Sequence, residues 1–226
     1  MLVCYAAYVL APAVLNCAML VIGLQKPAAA VYDRTVALYT LVLDLVLCPL
    51  TALALRCSLA GHWPLPPGWF TLNVRGAARQ WGLLLAACAT FPALSALGAL
   101  AHKALGGGAE HVFWEGASAA ALRAGSCDVV ALCTYVASHT LLAPLWEEAV
   151  FRGFLLPSLC RYLPAHGAVG VSALLFAVAH QNALTPGVLL PGVLFGGVYV
   201  RTRSLAAPIA LHALWNLHIV TEMLLA

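Results

Sequence analysis

Charge is what this chain most lacks. Eight Asp or Glu and 11 Lys or Arg occur in 226 residues, so 8% of the chain is charged. A soluble domain carries about 25%, and an ordinary soluble protein is therefore excluded. A hydrophobic content of 63% and a mean hydropathy of +0.94 point instead to a polytopic membrane protein. The net charge of +3 is small and dispersed. No basic run with interleaved aromatics is present, which speaks against a nucleic-acid partner. CxxC is absent among the eight cysteines, which argues against a zinc knot or a disulfide framework. Most of them lie in apolar runs and read as small buried hydrophobes. HExxH is missing, and with it the usual zinc-helix signature. No Ser or Cys stands beside a base in a nucleophile motif.

What the chain has is apolar runs. Its length allows about seven spans of ~20 residues, an all-α polytopic transmembrane bundle. Leu2–Leu24 reads as the first span: no basic region precedes it, and it is too long for a signal-peptide core. Thr35–Leu55 is the second and holds Asp44, which no motif surrounds and which reads as a packed hydrogen-bonding residue. Arg56–Gln80 is a polar loop whose Trp63 and Trp69 suit an interfacial belt. Trp81–Leu100 follows, with Pro92 as a kink. Ala101–Asp128 is a linker or interfacial helix, dividing residues 1–128 from a core over 129–226. Val129–Cys160 is one helical pattern of about 48 Å. That exceeds the ~30 Å hydrocarbon core, so it bends near Pro144 or protrudes. Ala165–Asn182, the Gly-rich Pro186–Val200 and Leu205–Leu225 complete the set.

Two glutamates and an arginine interrupt this apolar background in LWEEAVFRGFLL, Leu145–Leu156. A charge at membrane depth costs roughly 2.5–3.5 kcal/mol on insertion scales, so these three need a reason. Glu148 and Arg152 are four apart and share a helix face. Glu147 lies about 100° around the helix and finds no partner there. It is left as a candidate general acid or base. Two further clusters follow. Phe176-x-x-x-His180 puts a ring and an imidazole on one face. His212-x-x-x-Asn216 puts an imidazole and an amide on another, and both can donate to a developing oxyanion. His139 and His218 have no motif and read as structural. The three clusters supply a base, a water-orienting partner and an oxyanion site. A divalent metal such as zinc, held by Glu147, His180 and His212, is the alternative.

In this order, and in membrane helices, EExxxR, FxxxH and HxxxN resemble the CPBP family. That family comprises the CAAX prenyl proteases of the Rce type and the bacterial Abi-type membrane proteins. The flanking words APLWEEAVFRGFLLPSL and RTRSLAAPIALHALWN fit as well. The wording WEEAVFRGFLLPSL followed by RYLP resembles plant and algal plastid members. The resemblance implies an intramembrane endopeptidase without a cofactor. Glu147 and His180 would activate water, and His212 and Asn216 would hold the oxyanion. Glu148, Arg152 and Phe176 would support them. Its partners would be a membrane-associated or prenylated protein substrate and the lipid bilayer. A non-catalytic scaffold or assembly factor is the competing reading, and a proton-relay transporter a weaker one. The catalytic reading demands that the clusters meet. Yet His180 stands near one end of its span, and His212 lies ~10 Å inside the opposite end.

Overall fold

The computed structural model describes residues 34–65, 69–75, 80–104, 129–180 and 186–225. The expected first span, Leu2–Leu24, and residues 105–128 of the expected linker lie outside these. Without water at membrane depth, backbone groups must be satisfied within the segment, and helices achieve this. Among the described residues six helices form: α1 (Arg34–Leu59), α2 (Trp81–Ala104), α3 (Val129–Leu159), α4 (Ala165–Ala179), α5 (Pro186–Thr202) and α6 (Ala206–Leu225). The run Thr40–His62, which takes in most of α1 and the 3-10 turn Ala60–His62 after it, is long and apolar enough to cross a membrane, as are α2 and α3. Ala165–Ala179 and Gly187–Thr202 are apolar but shorter. The outer face of α1 is apolar, with Leu38, Val42, Leu45 and Leu53 exposed, as a lipid-facing surface requires.

Helix α3 touches α1, α4 and α6, and α5 touches α2, α4 and α6. Phe91, Phe195, Leu211 and Trp215 join α2, α5 and α6 in one cluster. The glycines of α5 let α4 come close: a Cβ on Gly192 would stand 3.3 Å from that of Ala173. Small residues at helix contacts serve this purpose in lipid.

Prolines shape two of the helices. Pro92 lacks an N–H, and α2 breaks ahead of it at Thr90, whose N–H turns back to Ala87 O at 3.1 Å. The irregularity expected near Pro144 takes another form. α3 continues past it but widens into π-helical turns at Ser138–Leu142 and again at Ala149–Leu155. Nothing in the hydrophobic pattern announces these. In the first, Ala143 N–H bonds to Ser138 O, so the bond it would make to His139 O in an α-helix is given up. The second precedes Pro157, which has no N–H for Gly153 O; the Trp69 indole supplies one at 2.7 Å. Trp69 is therefore a helix brace rather than a free belt residue, while Trp63 is 60% exposed. Trp69→Phe removes only this donor and should destabilise the protein by about 1–3 kcal/mol. Reversible unfolding in bicelles measures it.

Two expectations need correction. The cysteines are not buried fillers: among the described residues Cys57, Cys133 and Cys160 are exposed and Cys48 and Cys88 half-buried. Cys48 faces α3, with its thiol 3.8 Å from Leu142 O, and Cys88 packs against the core cluster of α2, α5 and α6. Ala165–Asn182 is not a full crossing. Its helix stops at Ala179, and 15 residues make about 22 Å, short of the ~30 Å core.

Candidate active site

That short helix settles the depth problem. His180 caps the C-terminal end of α4, whose short length brings its imidazole to the cavity that His212 also lines. His212 lies one and a half turns into α6. Both imidazoles reach the middle of α3, where Glu147 waits. Together with Phe176 and Asn216 they line one cavity of about 300 Å³.

The ion pair behind the cavity is fully buried. Arg152 Nη1 donates to Glu148 Oε1 at 2.8 Å, and Nη2 donates to Gly192 O at 2.8 Å. The guanidinium lies 4.6 Å from the Phe176 ring centroid, a cation–π distance. Glu148 Oε1 also accepts from His212 Nδ1 at 2.9 Å. Glu148 is thus more than a neutraliser of Arg152: it fixes the His212 ring, which stacks on Phe195 at 5.0 Å.

Both histidine tautomers follow from their partners. A carbonyl oxygen only accepts, so His180 Nδ1 carries hydrogen toward Phe176 O at 2.8 Å. The paired Glu148 carboxylate likewise takes its hydrogen from His212 Nδ1. Each neutral imidazole then presents an Nε2 lone pair, and both Nε2 atoms stand 3.7 Å from Glu147 Oε2. This is beyond direct hydrogen-bond reach, and Glu147 Oε2 is buried with no protein hydrogen-bond partner. Three acceptors converge on one spot. The O–H bonds of a water suit two of them. A neutral His212 cannot donate from Nε2, so the oxyanion role that its motif implies requires it to be protonated first.

Asn216 is aimed by the π turn. Its Nδ2 donates to His139 O at 2.7 Å, the carbonyl released when Ala143 shifts its bond to Ser138. The amide nitrogen carries a second hydrogen for the cavity. Phe176 packs on His180 with centroids 4.4 Å apart, as their shared face required.

Asp44 and His139 also line the cavity, and Asp44 is the packed hydrogen-bonding residue expected, accepting from Ser138 and Trp146. A signal for their place at the cavity existed in the sequence. An ionisable residue inside a span is a functional candidate by default, and His139, Ala143 and Glu147 follow one helix face at four-residue steps. His218 stays outside, against Phe91 and Trp215. Among the described residues no group of three His, Cys, Asp or Glu is arranged to hold a metal ion. Glu147, His180 and His212 are the residues that would hold the zinc of the alternative reading.

Comparison with known proteins agrees with the motifs. The family described as type II CAAX prenyl endopeptidase Rce1-like matches residues 129–218. Membrane-embedded CAAX protease MroQ of Staphylococcus aureus (strain USA300) is 36% identical over 93 residues. The match covers 38% of this chain and 38% of that protein, so the chain spans well under two thirds of its curated relative. No solved structure matches. Residues 129–218, which hold all three motifs, are the part that matches the Rce1-like family, and this supports the CPBP resemblance for that part of the chain.

Proposed function

We propose that this protein is an intramembrane endopeptidase that hydrolyses a peptide bond in a membrane-associated protein. The observation that carries the reading is the placement of Glu147 Oε2 at 3.7 Å from both His180 Nε2 and His212 Nε2 in one cavity. A water there donates one O–H to Glu147 and is oriented by His180. Its oxygen adds to the substrate carbonyl as the O–H proton passes to the carboxylate. The carbonyl π pair becomes the oxyanion lone pair. Glu147 can hand the proton to His212 Nε2 once rotation of the carboxylate closes the 3.7 Å gap between them, since Glu148 at 2.9 Å already balances an imidazolium. His212 then becomes a donor as the oxyanion forms, beside the second hydrogen of Asn216. Collapse breaks the C–N bond, and the proton leaves with the amine. The enzyme consumes one water and returns to its starting state.

The substrate class follows the relatives, which are CAAX proteases by name: a prenylated or otherwise membrane-anchored chain. The likeness of WEEAVFRGFLLPSL and RYLP to plastid members supports a plastid membrane, or otherwise an endomembrane, as the proposed location. A fluorescent fusion tests this, and signal confined to the plasma membrane would refute it.

The activity test uses the full chain in nanodiscs with a farnesylated peptide and its unmodified twin, with and without 1,10-phenanthroline. Cleavage that survives chelation and disappears in His180→Ala supports direct water activation. Loss on chelation, restored by zinc, would replace it with metal assistance. Should no membrane-anchored peptide or trapped membrane protein be cut, the scaffold reading takes over.

A further inference from the structure

Glu147 stands on an unreliable piece of helix. It follows Pro144, which has no N–H to donate, and the π turns at Ser138–Leu142. π turns forgo the i to i−4 ladder that fixes side-chain direction elsewhere. A carboxylate that must stand 3.7 Å from two imidazoles needs its backbone held from outside, because 1 Å of misplacement costs as much as ~10²-fold in rate.

Helix α1 supplies a hold. Asp44 is buried, with 5% of its surface exposed. One carboxylate oxygen, Oδ1, accepts from Trp146 Nε1 at 3.2 Å. The other, Oδ2, accepts a short hydrogen bond from Ser138 Oγ. Ser138 opens the first π segment and Trp146 follows Pro144, so the two donors bracket that irregular stretch. One side chain of α1 therefore ties the residue before Glu147 to the start of the irregular stretch. Asn216 clamps the same stretch from α6, through His139 O. Asp44 also lies outside residues 129–218, the part matched to the family.

We propose that Asp44 is a positioning residue for the hydrolysis: it braces α3 across Pro144 and the π turns, and so sets where the Glu147 carboxylate stands. The kinetic part rests on the protease reading above; the brace itself does not. Asparagine can replace the brace, with its oxygen accepting from Trp146 and its amide donating to Ser138 Oγ. Alanine cannot.

The test takes the full chain in nanodiscs through Asp44→Ala, Asp44→Asn and Trp146→Phe. Each is followed by cleavage kinetics, and all but Trp146→Phe by the ¹⁵N–¹H resonance and hydrogen exchange of the Trp146 indole. Asp44→Ala should lower kcat between about tenfold and hundredfold, leave KM within about twofold, and speed indole exchange. Asp44→Asn should return kcat to within about threefold of the original and restore slow exchange. Trp146→Phe should lose part of the rate and show no further loss when combined with Asp44→Ala. Unchanged indole exchange in Asp44→Ala overturns the brace whatever the activity does. An Asp44→Asn protein as slow as Asp44→Ala, with exchange restored, overturns it in favour of the charge itself. Cleavage indifferent to Glu147→Gln would sink the protease reading instead. The indole would still report the brace. An Asp44→Ala protein that fails to fold leaves Asp44→Asn and Trp146→Phe to decide.

Discussion

Glutamine at position 147 should abolish hydrolysis and leave the protein standing. The amide matches the carboxylate in size but has no proton affinity, so water attack loses its base. General-base catalysis is worth about 10²–10⁴-fold, and kcat should fall by that factor. The KM should hold, because the carboxylate is assigned to the attacking water and to no contact with the bound substrate. Stability should hold too. Glu147 has no protein hydrogen-bond partner on Oε2, and Arg152 pairs with Glu148. The same substitution one residue later should behave oppositely. Glu148→Gln leaves Arg152 buried without its counter-charge and His212 Nδ1 without a carboxylate, so folding suffers before catalysis is reached. The adjacent pair separates the two roles of one motif. The measurement is single-turnover cleavage in nanodiscs beside thermal unfolding of each variant. Equal loss of stability in both, or undiminished cleavage in Glu147→Gln, would contradict the assignment. Cleavage-dead Glu147→Gln protein is also the bait for trapping substrates.

The charged parts of this site were legible because an apolar chain makes them conspicuous. Helical spacing alone pairs Glu148 with Arg152 and leaves Glu147 over, and the geometry agrees. The same arithmetic set Phe176 against His180 and His212 beside Asn216. What spacing could not reach was depth. Counting α4 as a crossing put His180 and His212 at opposite surfaces, whereas α4 ends at Ala179 and both imidazoles stand 3.7 Å from Glu147 Oε2. Where a helix stops in an apolar run depends on tertiary packing, and the run itself carries no sign of it. Hydrogen-bond register was equally hidden. The π turns free His139 O for Asn216, and the only written trace of their position is the pair of prolines, Pro144 and Pro157. Asp44 shows a third limit. Its charge was visible, but its partners Ser138 and Trp146 sit roughly a hundred residues away, on a helix that only folding brings alongside.

Arg152 should prove the most costly side chain to lose for stability. It is fully buried, and its guanidinium answers Glu148 with one nitrogen and Gly192 O with another, so it ties α3 to itself and to α5. Breaking a buried pair from one side costs about 3–5 kcal/mol, a large share of the 5–15 kcal/mol that holds a typical protein folded. Arg152→Met should lose that amount in reversible unfolding from bicelles. Arg152→Lys should recover little of it, since an ammonium is a single point of charge and cannot reproduce the planar fork. The decisive variant removes both charges. With Glu148→Leu added to Arg152→Met, no uncompensated ion remains, and apolar replacement of a buried pair is often neutral or stabilising. Stability should return most of the way toward the original, while His212, deprived of the carboxylate on Nδ1, should leave cleavage at the level of the single variants. Recovery of folding without recovery of activity would assign the pair two separable tasks: its charges offset one another for stability, and Glu148 alone aims the imidazole. A double variant no more stable than Arg152→Met would mean instead that the network, not the unpaired charge, carries the loss.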